Sequence, residues 1–341
     1  MKLCVVVTKI PMQEYNDFVP IEIQIYIAKS KKEEEEEQIQ ISRRRERNRY
    51  GRHLEMRYQI QQFPSHRARS ALAAMANDRE VLREVWEGKI PVCFQLNPDE
   101  VYALQAPDPF YLMVPRLSYF PICTDKVRKH FMRYVQQETQ DKQETEMWLE
   151  FNGTPLKWHI PIGVLMDLYH NDIQLPWNIV VHFDKFPDSI LMRCQNKEIV
   201  ESYFLSCIKE ADVLKHRGQV VSSMQKKDHN QLWLGLLNDK FDQFWAVNRK
   251  LMETASDDGF KHIPFKFYTS EDKFIQKLVK PLNEDGQRKT LKHLLTEVFP
   301  NQEKVVVRTH GILIPDDTPL QWLSEHLSYP DNFLHLVFVT T

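Results

Sequence analysis

Between Asn196 and His216 the apolar residues recur at helical spacing. Turned at about 100° per residue, Val200, Phe204, Cys207, Ile208, Ala211 and Leu214 fall on one side. Lys209 falls roughly opposite the middle of that side. The pattern predicts one amphipathic helix over 196–216 with Lys209 on its wet face. Lys215 lies about 60° from the apolar centre and is expected to be less open, whereas His216 lies within about 20° of Lys209, on the wet side.

The segments on either side of this helix read as two copies of one small unit. Ahead of it, Val81 to Trp86 predicts a short helix. Ile90, Val92, Phe94 and Leu96 alternate with Lys89, Pro91, Cys93 and Gln95, the period-2 signature of a half-buried strand. Phe110 to Val114 is a continuous apolar run closed by Pro115 and predicts a more buried strand. Thr124 can cap a helix carrying Val127, Phe131, Tyr134 and Val135. Met147, Leu149 and Phe151 alternate up to the turn dipeptide Asn152-Gly153. A short helix over Ile162 to Tyr169 and a strand over Asn178 to Phe183 complete the unit.

The C-terminal third repeats that order. Ile263, Phe265 and Phe267 alternate in a first strand, and Pro264 points to a sheet edge. Phe274 to Val279 predicts a second strand, closed by Pro281. Thr290 opens a helix with Leu291, Leu294, Leu295, Val298 and Phe299 on one face, stopped by Pro300. Val305 to Val307 and Leu334 to Val339 predict the remaining strands, with a turn near Gly311. Thr154-Pro155-Leu156-Lys157-Trp158 matches Thr318-Pro319-Leu320-Gln321-Trp322, which reads as a repeat marker because it falls within the same order of elements. Between the units a second helix is expected from about Gln225 to Met252. Its large apolar residues spread over more than the ~100° stripe of a surface helix, so it needs cover on two sides.

Composition narrows the classes. The 341 residues suffice for two or three domains, and a formal net charge of -2 argues against a dedicated nucleic-acid binder. Five cysteines, Cys4, Cys93, Cys123, Cys194 and Cys207, form no CxxC pair, which reads as structural thiols of a reducing compartment. No apolar run approaches the ~20 residues of a membrane span, and Leu3 to Val7 is shorter than the ~7–15 residues of a signal-peptide core. Residues 1–74 differ from the rest: Glu33 to Glu37 form a glutamate run, followed by Arg43, Arg44, Arg45, Arg47 and Arg49. Blocks of this kind stay solvated. The expectation is a disordered or spurious extension, even though Ile21, Ile23, Ile25 and Ile27 alternate as a strand would, with Met75 as a natural start. Two α+β domains, 75–190 and 256–341, then flank a helix-rich domain, 191–255.

Two strands, a crossing helix, a strand, a short helix and a last strand is the order of ubiquitin, and LHLVFV (Leu334 to Val339) is similar to ubiquitin's last strand. The expected fold class is α+β, two ubiquitin-like (β-grasp) domains, each burying one sheet face under one helix. Neither copy ends in the exposed Gly-Gly of a transferable modifier, so the units read as docking surfaces.

Longer stretches carry a family resemblance: GTPLKWHIPIG (Gly153 to Gly163), SCIKEADVLKH (Ser206 to His216), MQKKDHNQLW (Met224 to Trp233), FDQFWAVNRKLM (Phe241 to Met252) and TPLQWLSEHLSYPDNFLH (Thr318 to His335). From Met75 onward the chain resembles the autophagy protein 5 family. From spacing alone Lys209 is a solvated surface lysine. The resemblance implies that it is the acceptor of an isopeptide bond to the C-terminal glycine of the ubiquitin-like autophagy protein 12. Autophagy proteins 7 and 10 would supply activation and conjugation. The conjugate would bind autophagy protein 16, recruit autophagy protein 3 and act as an E3-like, itself non-catalytic factor in lipidating autophagy protein 8 with phosphatidylethanolamine. The resemblance further implies a cytoplasmic chain with peripheral contact at the phagophore membrane, and no cofactor. The alternative is an unconjugated adaptor that binds a partner helix.

Other candidate chemistry is thin. A free lysine, with pKa near ~10.4, is neutral in about one molecule per thousand at pH 7, so conjugation depends on the enzyme that holds the thioester. Cys207 falls on the apolar side, where thiols are inert, and His216 on the opposite side cannot serve it. His159, His182, His310 and His335 lie in or beside strands without metal-ligand spacing. Trp158 and Trp322 are candidate groove aromatics or, on the plainer reading, core anchors.

Overall fold

The computed structural model describes residues 79–136, 146–169, 173–254, 259–301 and 305–339. The expectations for residues 1–74 lie outside them. Helix α1 (Arg79–Glu87) leads into β1 (Lys89–Leu96) and β2 (Phe110–Pro115). Then come α2 (Phe120–Cys123), α3 (Asp125–Phe131), β3 (Trp148–Phe151), β4 (Thr154–Pro155), α4 (Ile162–Leu168) and β5 (Trp177–His182). Four helices follow: α5 (Lys197–His216), α6 (Gln219–Ser223), α7 (Lys226–Leu237) and α8 (Phe241–Met252). The last stretch holds β6 (Phe265–Ser270), β7 (Lys273–Ile275), α9 (Leu291–Val298), β8 (Val306–Thr309), β9 (Ile312–Leu313), α10 (Leu320–His326) and β10 (Leu334–Val339).

The duplication is exact in topology. The first sheet runs β2-β1-β5-β3-β4 and the second β7-β6-β10-β8-β9. In each, the first strand pairs antiparallel with the second and parallel with the last. The last strand then pairs antiparallel with the third, and the third with a two-residue strand. These are two β-grasp sheets. The repeat marker, however, is out of register. Thr154-Pro155 is strand β4, whereas Thr318-Pro319 leads into α10, with Pro319 at its N-cap. The first unit's counterpart of Pro319 is Pro161, the N-cap of α4. Four shared letters thus fall on different parts of a shared fold.

Burial departs from the sequence pattern in instructive places. Strand β2 is an edge strand, not a buried one: Tyr111 and Met113 face solvent at 66% and 52% exposure. A run of apolar letters cannot distinguish an exposed edge from a core strand. Strand β6 is flanked on both sides, and Pro264 precedes it, using its carbonyl to accept the Leu334 N–H. The missing proline N–H therefore breaks no ladder. Strand β7 stops at Ile275, well short of Val279. Thr124 does not cap α3 through its side chain, because its hydroxyl donates back to the Phe120 carbonyl at 2.7 Å.

The two sheets also differ in cover. On β6, alternation puts Phe265 and Phe267 on one face and Lys266 and Tyr268 on the other, yet all four are buried. His335 stacks on Tyr268, and Phe333 packs with Cys207 and Ala211 of α5. So α5 covers the back of the second sheet, which buries both faces rather than the expected one.

The long helix expected over 225–252 is two helices. Asn238 ends α7, Asp239 turns left-handed (φ 52°), and Lys240 opens α8. The wide apolar band belongs to a helical hairpin whose arms each bury a narrower stripe. Gly235 makes the hairpin possible: a Cβ there would sit 2.7 Å from the backbone of Phe244. Trp158 is buried, its indole N–H donating to the Met192 carbonyl at 2.7 Å, and Trp322 is half-buried on His326.

Candidate functional site: the exposed face of helix α5

Helix α5 is fixed at both ends. Asn196 is its N-cap, accepting the Ile199 N–H at 3.1 Å. At the other end Arg217 is left-handed (φ 60°), and the Arg217 and Gly218 N–H groups donate to the carbonyls of Val213 and Asp212. Removing the N-cap acceptor in Asn196→Ala should cost about 1 kcal/mol, read as a lower urea midpoint with unchanged slope. Val200, Phe204, Cys207, Ile208 and Ala211 are buried, as the periodicity requires. Asp212 is fully buried and accepts the Val221 N–H at 2.8 Å, tying α6 to α5.

Lys209 is exposed and makes no hydrogen bond or ion pair among the described residues. Some other surface lysines are paired: Lys197 with Asp125 at 2.6 Å and Lys89 with Asp239 at 3.1 Å. Nor does a neighbouring carboxylate compete for Lys209. Glu210 accepts from Gln276 at 3.3 Å, and Asp212 is turned inward. The positions one helical turn either side, Leu205 and Val213, are uncharged. The site is a free amine on a helix packed against a sheet.

Lys215 is more than less open: it is 2% exposed. Its ammonium lies 3.2 Å from Asn332 Oδ1, 3.2 Å from Met252 Sδ and 4.6 Å from the Phe260 ring centroid. Burial pushes it down to about 7; Glu325, Asp331 and Asp212 pull the other way. His216 is half-buried rather than wet, edge-on to Phe260 with Nε2 on the Leu251 carbonyl. The segment after α8 folds over this end of α5, and helical phase carried no sign of it. Burial raises the Cys207 thiol to about 11, with Asp331 adding to the shift.

The histidines near strands have structural partners. His335 bonds Asp331 at 2.9 Å, His310 stacks on Tyr329, and His182 stacks on Trp148 between Glu100 and Glu150. His159 packs edge-on against Tyr203, and burial lowers its pKa to about 4.

Paired β-grasp sheets around a helical region define a protein built of ubiquitin-like domains. Three family models match in chain order. They are described as Autophagy protein ATG5, UblA domain, over residues 85–183; alpha-helical bundle region, over 197–254; and UblB domain, over 262–338. Autophagy protein 5 of Drosophila melanogaster is 57% identical over 266 residues, 77% of this chain and 97% of the relative. Autophagy-related protein 5 of Caenorhabditis elegans is 36% identical over 277 residues, 77% and 98%. The crystal structure of Kluyveromyces marxianus Atg5 shares the fold, with a TM-score of 0.66 over 76% of this chain and 99% of that one at 22% identity. The chain belongs to the autophagy protein 5 family, and its role is in autophagy.

Proposed function

We propose that this chain is a conjugation scaffold whose Lys209 accepts a ubiquitin-like protein, autophagy protein 12, through an isopeptide bond. The amine attacks the C-terminal glycyl thioester of the carrier enzyme. The C–N bond forms, the C–S bond breaks, the carrier's cysteine leaves as thiolate, and the amine nitrogen releases its proton to solvent. Autophagy proteins 7 and 10 load and carry the thioester. The conjugate, bound to autophagy protein 16, recruits autophagy protein 3 and promotes lipidation of autophagy protein 8 with phosphatidylethanolamine at the phagophore membrane. The chain itself supplies an address, not a catalytic group.

The observation that carries this reading is the unpaired, exposed ammonium of Lys209 on a helix capped at both ends and buried along its opposite face. An acceptor needs access and a fixed position, and this geometry provides both. The test is a reductant-resistant species heavier by one ubiquitin-like protein, with a Gly–Lys209 branched peptide in its digest. It should vanish in Lys209→Arg. Persistence of the species in that variant overturns the assignment.

A further inference from the structure

Four strands end the two sheets among the described residues, and three of them are blunted. Strands β4 and β9 have two residues each, and β7 has three and begins at the exposed Lys273. Strand β2 is different. It runs six residues, FYLMVP, without a charge. Folded proteins shorten, charge or cover such edges, because the outer row of N–H and C=O groups is a template for another strand.

The register says which groups are free. The Arg116 N–H donates to the Gly88 carbonyl at 3.0 Å, and Lys89 lies opposite Pro115, so Gly88 and Arg116 form a hydrogen-bonded pair. Antiparallel pairs alternate in type. Val114, Leu112 and Phe110 therefore bond to β1, whereas Tyr111 and Met113 turn their N–H and C=O groups outward. Pro91 lies opposite Met113, where β1 and β2 exchange no bond, so its missing N–H costs this pairing nothing. Among the described residues nothing takes up the four outward groups of Tyr111 and Met113. Their exposed side chains share one face of the sheet, and Phe110 and Leu112 share the other.

That other side of the edge is basic. His130 of α3 packs on Phe110 with ring centroids 5.2 Å apart, and its Nε2 donates to the Asp108 carbonyl at 3.0 Å. These contacts fix α3 beside the head of β2. Lys126 and Arg133 lie one turn either side of His130 on the same helical stripe, Lys129 adjoins it, and all three are exposed. Lys126 and Lys129 have no partner among the described residues, and Arg133 donates to the His130 carbonyl at 3.2 Å. Against these cations Asp108 sets one carboxylate at the head of β2, and Asp125 is already paired with Lys197.

We propose that β2 is a strand-addition site for an extended acidic peptide of a partner protein. The peptide backbone pairs with Tyr111 and Met113, its apolar side chains lie along the exposed face of those two residues, and the carboxylates between them reach the α3 cations. A second copy of this chain fits less well. Antiparallel pairing of two β2 strands in one continuous sheet puts both α3 helices on the same side, where their basic stripes repel. The site is distinct from Lys209 and stands whether or not that lysine is an acceptor.

The test uses the full chain and a synthetic octapeptide of alternating glutamate and valine, followed by calorimetry and amide hydrogen exchange. Binding is expected, with slowed exchange at the Tyr111 and Met113 amides. Met113→Pro removes one outward N–H. An edge position tolerates proline, so the melting temperature should hold while affinity falls about tenfold. N-methylating the peptide amides that face β2 should lose as much affinity with the protein unaltered. Lys126→Glu with Lys129→Glu should weaken binding about fivefold, and an octapeptide of alternating lysine and valine should not bind. No binding of the glutamate–valine peptide, or full affinity for its N-methylated form, overturns the strand-addition site. Equal affinity for the two octapeptides overturns the acidic class of partner. Self-association in sedimentation velocity without peptide, lost in Met113→Pro, gives the edge to a second copy instead.

Discussion

Replacing Lys215 by methionine is expected to stabilise the protein at pH 7 and to remove most of a slope in its pH–stability curve. The ammonium is 2% exposed, and among the described residues no carboxylate pairs with it. Its partners are one amide oxygen, one thioether and one ring face. Those do not replace a hydration shell, so the folded-state pKa falls to about 7 from 10.5. Between these values the unfolded chain binds the proton and the folded chain does not. Stability therefore rises with pH across that window, at up to about 1.4 kcal/mol per pH unit. Below about 7 both states are charged and the full penalty applies; above 10.5 both are neutral and it is gone.

Methionine is unbranched like lysine, one atom shorter, and carries no charge. It leaves Asn332 Oδ1 without its donor, at a cost of about 1–3 kcal/mol, while Asn332 Nδ2 keeps its 2.8 Å bond to Asn248. Against a charging penalty that is larger at pH 7, the expected net gain is about 1–3 kcal/mol. The gain should shrink steadily toward pH 10. Urea melts of both proteins between pH 6.5 and 9.5 measure the difference, in which titrations common to both cancel. A gap that stays constant with pH would show that Lys215 is charged in the fold throughout.

Local rules reached much of this architecture. Helix α5 was legible over its length because its signal is local: six apolar residues recur on one face, and the structure adds the Asn196 cap and the left-handed Arg217 that close it. The order of elements was legible because apolar runs, turns and prolines punctuate each unit in a similar way. What failed were properties set by distant chain. Apolar letters in β2 could not reveal that no described strand pairs with its outer side, nor could Lys266 reveal that it is buried on the face α5 covers. Asn238-Asp239 breaks the α7–α8 hairpin by one left-handed residue inside an otherwise continuous helical pattern. The exposure of Lys209 followed from helical phase; its lack of any partner did not, because the nearest carboxylate is held by Gln276, 66 residues away.

The same limit hides the buried ion pair that joins the two β-grasp units, and its removal should be the most destabilising single change considered. Arg116 follows β2 and Asp167 lies on α4 of the first unit. Their side chains are 8% and 2% exposed and meet at 2.6 Å. The second carboxylate oxygen accepts the Gly311 N–H at 3.1 Å, in the β8–β9 turn of the second unit. Gly311 is left-handed (φ 83°), a backbone conformation that favours glycine, and it sets the N–H toward the pair. Asp167→Ala leaves a buried guanidinium uncompensated and the Gly311 N–H without an acceptor. The expected loss is about 3–5 kcal/mol. The joint replacement Arg116→Met with Asp167→Leu removes both charges and should cost clearly less than Asp167→Ala alone, since no charge is left stranded. Denaturant melts of the two variants decide it. If the double replacement is as damaging as the single one, the pair contributes through its geometry at Gly311 and not through charge compensation.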